Sequence, residues 1–398
     1  MRTVAIVGAS LGGLRTAQEL RSQGYDGRVV LVGEEAHRPY DRPPLSKAFL
    51  AGTADREALD LLEPDDDREL DVDYRLGVRA EHLDPANGRV LLSDGSELLA
   101  DGVVIATGGR ARPLPGTEGV AGVHTLRTVD DALRLRDELT SGSPRVVIVG
   151  AGFIGAEVAS TCRTLGLDVT VLEALETPLA PILGAELGAA CARLHGDHGT
   201  RLLCGATVDG LNTVADGPHG VRVTGVRLAN GDEIPADVVL IGIGMIPATE
   251  WLAGSGLTVG NGVHTDSGLV AGPSTVVAVG DVARYASVST GRHVRHEHWT
   301  NASEQAGVAV ANLLAGHTVR HYVPSGYVWS DQYSVTIQIA GHPAPSDEVV
   351  FVEGSTEART FVATFQRDGE TVAVFAMNNA KLFNRLRRQA IRRPAPAA

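Results

Sequence analysis

Cysteine is scarce in this 398-residue chain: Cys162, Cys191 and Cys204 make an odd number at irregular spacing. That leaves no disulfide framework and no thiolate metal cluster, and the three thiols read as buried or incidental. Long apolar runs are lacking too. The stretch from Val238 to Pro247 is about half of the roughly 20 residues that a membrane-spanning helix needs. The opening residues Met1 to Val7 already follow a strand pattern rather than a signal-peptide pattern, so the chain is expected in the cytoplasm. Acids are missing from Lys381 onward, where Lys381, Arg385, Arg387, Arg388, Arg392 and Arg393 stand, although the whole chain has a net charge of −13. An acidic body argues against nucleic acid as a ligand, while its basic end suits an acidic protein partner.

What the sequence has in excess is glycine, 47 residues, and the glycines cluster in nucleotide-type turns. An apolar fraction of 43% and a charged fraction of 21% fit a globular protein of this length with two or three domains. One internal repeat organises it. VAIVGASLGGLRTAQELRSQGY begins at Val4 and VVIVGAGFIGAEVASTCRTLGL at Val146, with Gly8 and Gly150, and Gly24 and Gly166, at the same offset. Each copy has β-type apolar residues, a glycine turn and a helical pattern, then a second strand that closes on an acid, Glu34 or Glu173. This is the β–α–β dinucleotide unit, present twice. Gly8 and Gly150 make the tight turn, Gly12 and Gly152 admit a pyrophosphate, and Gly13 and Gly155 allow close helix packing. The helix N-termini offer free N–H groups to phosphates, and Glu34 and Glu173 are the expected ribose anchors. No base follows Glu173 in Ala174 to Thr177, so the second site should prefer NADH to its 2′-phosphorylated form.

The strand from Asp101 ends in a Thr107–Gly108 turn and a proline-rich exit, and the strand from Asp237 has the same form. The second dinucleotide unit is therefore expected as an insertion: a discontinuous first domain at 1–112 and 242–318, a second at 113–241, and a third at 319–398. The first domain resumes with TVVAVGDVA and a helix near Ala302 to Leu314. From about Val319 the pattern becomes four alternating strands, SVTIQIAG, EVVFVEG, TFVATFQ and TVAVFAM, and a final helix. The expected fold is α/β, two Rossmann-like dinucleotide-binding domains with a smaller α+β C-terminal domain.

The order of YDRPPLSK (Tyr40 to Lys47), ATGGRARPLPG, LRT (Leu126 to Thr128), VGDVAR (Val279 to Arg284), EHWTNASEQ (Glu297 to Gln305) and WSDQY (Trp329 to Tyr333) resembles the two-dinucleotide-fold flavoproteins. Within them it resembles the NADH-dependent ferredoxin reductases that serve Rieske-type dioxygenases and bacterial cytochromes P450. The resemblance implies FAD contacts from Gly12, Glu34, Lys47, Ala80, Arg127, Asp281 and Trp299, with Arg42 toward a flavin phosphate. It implies NADH contacts at Gly150, Gly152, Ile154, Gly155, Glu173 and Gly244, and a catalytic pair of Lys47 and Glu157. Trp329 belongs with Trp299 among the aromatic residues near the flavin. Ser10 takes the middle glycine position of the first turn, and Ala248 stands where the family often has Asn.

Related flavoproteins that reduce disulfides or peroxides use a cysteine after the first dinucleotide unit, where this chain reads Arg42 to Ser46 without one. A thiol relay is thereby excluded. A rubredoxin reductase or an NADH oxidase stays open, and an interaction protein resembling apoptosis-inducing factor is disfavoured by charge. The implied partner is an acidic [2Fe–2S] ferredoxin meeting Lys381, Arg385 and Arg388, which fall at i, i+4 and i+7 while Leu382 and Leu386 turn inward.

Overall fold

Val4 to Val7 are apolar without interruption and lie within 2% of complete burial, as a strand covered on both faces must be. In the computed structural model, which describes residues 1–217 and 220–391, they form the centre of a five-stranded parallel sheet. Its order is Val276–Ala278, Gly102–Ile105, Thr3–Val7, Arg28–Gly33, Val72–Leu76. A second five-stranded parallel sheet is built the same way around Arg145–Val149, flanked by Asp168–Leu172 and Val238–Ile241. Among the described residues no helix is long and apolar enough to cross a membrane.

Each central strand feeds a helix, Leu11–Ser22 or Phe153–Thr164, through a turn where the packing dictates glycine. A Cβ on Gly13 would stand 2.0 Å from the Gly8 carbonyl oxygen, and one on Gly155 would stand 2.1 Å from that of Gly150. Any side chain there would push the helix off its sheet.

The chain leaves the first unit through Gly109–Ala111 and returns through Met245–Pro247, and these two segments pair antiparallel as a ribbon. The first sheet gains its outermost strand, Val276–Ala278, only after that return. The helix that follows begins at Trp299 and runs to Ala315, three residues earlier than the sequence pattern suggested, and lies against the first dinucleotide helix, where Gln23 Nε2 donates to the Gly307 carbonyl.

The last sheet is antiparallel, in the order Val328–Gln332, Val335–Gly341, Glu370–Met377, Thr360–Arg367, Glu348–Ser355. Residues 319–327 contain no strand, so the alternating pattern starts later than Val319, and its first strand carries Trp329 and Ser330. Strand alternation gives this sheet two apolar faces. Ile337, Ile339, Phe361 and Phe375 share one core with Leu183, Leu187 and Cys162 of the second unit, while Ala340, Val362 and Val374 pack on Leu382 and Phe383 of the final helix, Ala380–Ile391. Cys162 and Cys191 are buried in the former core, and burial pushes both thiols up to about 12; Cys204 is exposed.

Candidate functional site

The two dinucleotide turns differ at their helix starts. Ser10 caps the first helix and Gly152 the second, and in neither does a side chain take up the first free N–H groups. The equivalence of Gly12 with Gly152 therefore needs correction: Ser10 is the counterpart of Gly152, and Gly12 sits inside the first helical turn. A Cβ on Gly12 would meet only ordinary contacts, Val279 at 3.6 Å and Ala302 at 3.8 Å, whereas among the described residues none but the adjoining ones comes within 4 Å of one on Gly152 or on Gly244. Ile154, on the first turn of the second helix, is 48% exposed beside that open space.

The two acids also occupy different positions. Val7 pairs with Val32 and Val149 with Leu172, so Gly33, not Glu34, occupies the place of Glu173. Glu173 accepts from the Ala151 N–H (2.9 Å) and the Leu175 N–H (3.0 Å), which fixes the carboxylate at the strand end. Glu34 lies one residue beyond its strand; its side chain is 71% exposed, with Arg79 at 3.7 Å. The second strands start in the same register, Arg28 beside Thr3 and Asp168 beside Arg145, but the first runs six residues before its acid and the second five, and the matched glycines conceal this.

Around the first helix start, Arg42 donates from Nε to the Ser10 hydroxyl (3.1 Å), from Nη1 to the Arg127 carbonyl, and from Nη2 to Glu35 (2.6 Å). Arg127 in turn pairs with Asp281 at 3.0 Å. Asp281 follows Gly280, whose left-handed backbone (φ 75°) turns its N–H onto Gln305 Oε1 at 2.6 Å. Gln305 Nε2 is buried with no partner among the described residues. An uncapped helix start, a guanidinium on its capping hydroxyl and a buried donor awaiting an acceptor match a diphosphate with its ribityl chain, so these residues fit FAD. At the second helix start, open space over Gly152 and Gly244 and the fixed Glu173 fit a nicotinamide dinucleotide. Ala80 is buried at the head of the strand Ala80–Asp84.

YDRPPLSK folds as an anchored loop. Tyr40 is buried; its hydroxyl donates to Glu35 and accepts the Val129 N–H at 2.9 Å, and burial raises its pKa. Asp41 accepts from Trp299 Nε1 at 2.8 Å, and Trp299 meets Trp329 edge-on at 5.9 Å. Pro43–Ser46 form a 3₁₀ turn that delivers Lys47. Lys47 Nζ stands 2.7 Å from Glu157 Oε2 and donates to the Pro43 carbonyl at 3.1 Å.

Glu157 is only 4% exposed and accepts from two hydroxyls besides, Ser46 Oγ at 2.6 Å and Ser330 Oγ at 2.7 Å. Sequence reasoning brought Lys47 and Glu157 together and missed both serines, as well as Glu35 and Gln305. At the former nicotinamide-side Asn position, Ala248 contributes only backbone groups: its N–H donates to the Gly108 carbonyl and its carbonyl accepts from Thr107.

Lys381, Arg385 and Arg388 are all exposed on the final helix, with Leu382 buried and Leu386 partly so; Arg387 instead lies over the Tyr327 ring at 5.0 Å. Arg392 and Arg393 lie outside the described residues.

Comparison with known proteins gives a consistent result. The model of a family described as pyridine nucleotide-disulphide oxidoreductase matches residues 2–306, and one described as reductase C-terminal matches 327–398. Rhodocoxin reductase of Rhodococcus erythropolis is 38% identical over 364 residues, 90% of this chain and 82% of the relative. Putidaredoxin reductase of Pseudomonas putida is 35% identical, covering 96% and 90%. The reductase component of an anthranilate 1,2-dioxygenase system of Burkholderia cepacia is 36% identical, covering 94% and 90%. A covalent putidaredoxin reductase–putidaredoxin complex superposes with a TM-score of 0.92 at 33% identity, covering 99% of this chain and 94% of that one.

Proposed function

The chain belongs to the pyridine nucleotide-disulphide oxidoreductase family, among the ferredoxin reductases of cytochrome P450 and dioxygenase systems, and from that premise we propose that it is an FAD-dependent enzyme that oxidises NADH and reduces a small acidic [2Fe–2S] ferredoxin. Bound FAD supplies what side chains lack, acceptance of an electron pair as hydride and release of the electrons one at a time. The first helix start, Arg42, Arg127, Asp281 and Gln305 hold it, and the second helix start with Glu173 holds NADH. The Glu173 carboxylate repels a 2′-phosphate and so selects NADH over NADPH.

The observation that carries the reading is the Lys47–Glu157 pair, which joins the loop of the first unit to the dinucleotide helix of the second. There the Lys47 ammonium offers positive charge where a reduced isoalloxazine needs it. Lys381, Arg385 and Arg388 present an exposed cationic face to the partner. Putidaredoxin reductase, a relative, crystallises in covalent complex with putidaredoxin, which supports a protein acceptor.

The test is cytochrome c reduction by the FAD-loaded protein, with NADH or NADPH, in the presence and absence of a [2Fe–2S] ferredoxin. NADH should give the higher kcat/KM, and turnover should require the ferredoxin. A folded protein that takes up no FAD, or NADH oxidation at the same rate without an iron–sulfur acceptor, overturns the proposal.

A further inference from the structure

Three separate parts of the chain meet at one buried carboxylate. Glu157 comes from the second dinucleotide helix, Ser46 and Lys47 from the anchored loop of the first unit, and Ser330 from the leading strand of the C-terminal sheet. The two carboxylate oxygens are divided between them: Oε2 accepts from Ser46 and faces Lys47, while Oε1 accepts from Ser330. Ser46 has a second acceptor in reach, the Pro43 carbonyl at 3.3 Å. Ser330 is oriented more firmly. It is fully buried, and its oxygen accepts from Gln332 Nε2 at 3.0 Å, which leaves its single proton for Glu157.

A carboxylate bonded on both oxygens draws less on the neighbouring ammonium than one left with a bare oxygen, because each charge-assisted hydrogen bond takes up part of the anionic charge. Ser330 therefore sets how much of the Lys47 charge is free to act elsewhere. The residue before it, Trp329, points to the opposite side of the strand and abuts Trp299, so the same strand is seated against the first unit as well.

Resting on the function proposed above, we infer that Ser330 is a positioning residue for oxidation of NADH: it acts on Lys47 through Glu157, and makes the charge offered to the flavin depend on the seating of the C-terminal sheet.

The experiment uses the FAD-loaded parent, Ser330→Ala and Ser330→Thr. It reads the flavin midpoint potential, the limiting rate of flavin reduction at saturating NADH, and the apparent NADH Kd. Loss of the hydroxyl should lower the potential and slow the limiting rate by roughly tenfold, the scale of one hydrogen bond to a charged group, with the NADH Kd unchanged. Threonine keeps the hydroxyl and should restore most of both. An alanine variant with the potential and rate of the parent overturns the inference, as does a threonine variant no better than alanine. Should Ser330→Ala fail to hold FAD, Gln332→Leu releases the Ser330 proton without removing it. A smaller fall in the same two quantities then supports the inference, and an unchanged potential overturns it. A parent whose flavin NADH leaves oxidised refutes the proposed function itself, and the role of Ser330 falls with it.

Discussion

Lys47 is one of only two lysines in a chain whose lysines and arginines together number 35. Arginine is the default cation here, and the exception stands where a compact point charge has to fit against a buried carboxylate. Replacing Lys47 with Met should slow flavin reduction at saturating NADH by roughly 100-fold, the scale of removing one preorganised electrostatic group. NADH binding should change little, and Lys47→Arg should fail to recover the rate. Stopped-flow absorbance decides it, and an unchanged limiting rate removes Lys47 from the mechanism. The pair was legible because Lys47 closes the YDRPPLSK motif and Glu157 stands just beyond Gly155 on the second dinucleotide helix, so each belongs to a segment the sequence marks. Ser46 and Ser330 were not, although YDRPPLSK and WSDQY contain them, since an uncharged hydroxyl gives no sign in the sequence of which distant carboxylate it meets. The shift between Glu34 and Glu173 stayed hidden for a related reason, because matched glycines set the turn but not the length of the strand that follows.

At the scale of elements, periodicity and turn chemistry revealed both dinucleotide units, the final helix and four strands of the last sheet. They missed the hairpin that begins this sheet. Val328–Gln332 and Val335–Gly341 are joined by two residues, Tyr333 (φ 51°) and Ser334 (φ 61°), both left-handed, where asparagine and glycine would be the usual choice. A bulky residue at positive φ costs of order 1–3 kcal/mol and persists only when its surroundings hold it. Here they do. The Tyr333 hydroxyl bonds His195 Nδ1 and Thr200 Oγ1, each at 2.9 Å, and its N–H donates to Ser160 Oγ at 2.7 Å. These bonds pin the C-terminal sheet to the helix Ala180–Asp197 through His195, to the segment just after it through Thr200, and to the helix Phe153–Thr164 through Ser160. Burial lowers the His195 pKa from 6.5 to about 4, so between those values the unfolded chain takes up a proton that the folded one refuses. This contribution to stability is complete above 6.5 and is lost as pH falls toward 4, by about 2 kcal/mol at a pH of about 5. His195→Asn should be less stable at neutral pH and should lose less on acidification. Urea midpoints at the two pH values measure it; the same acid loss in variant and parent contradicts the assignment.

For the whole molecule, charge is distributed unevenly: a net −13 overall, with three exposed cations on one face of the last helix. Steering by such a face is screened beyond about 8 Å at physiological ionic strength. Ferredoxin reduction should therefore fall steeply with added salt, while NADH-to-ferricyanide activity, which needs no docking, should barely change. Arg385→Glu with Arg388→Glu should depress the first and flatten its salt dependence. Retention of both by the double variant places docking elsewhere. The ribbon of Gly109–Ala111 with Met245–Pro247 has a consequence of another kind, for birth on the ribosome. The nascent chain delivers four strands of the first sheet, then every strand of the second, and only afterwards Val276–Ala278 and the Trp299–Ala315 helix that complete the first. The later-encoded unit can thus fold first, while the Gly102–Ile105 edge waits unpaired, a template for any passing strand. Synthesis closes the two dinucleotide units from the inside outward: the unit begun first is finished after the one inserted in it, and only the C-terminal sheet and its helix follow.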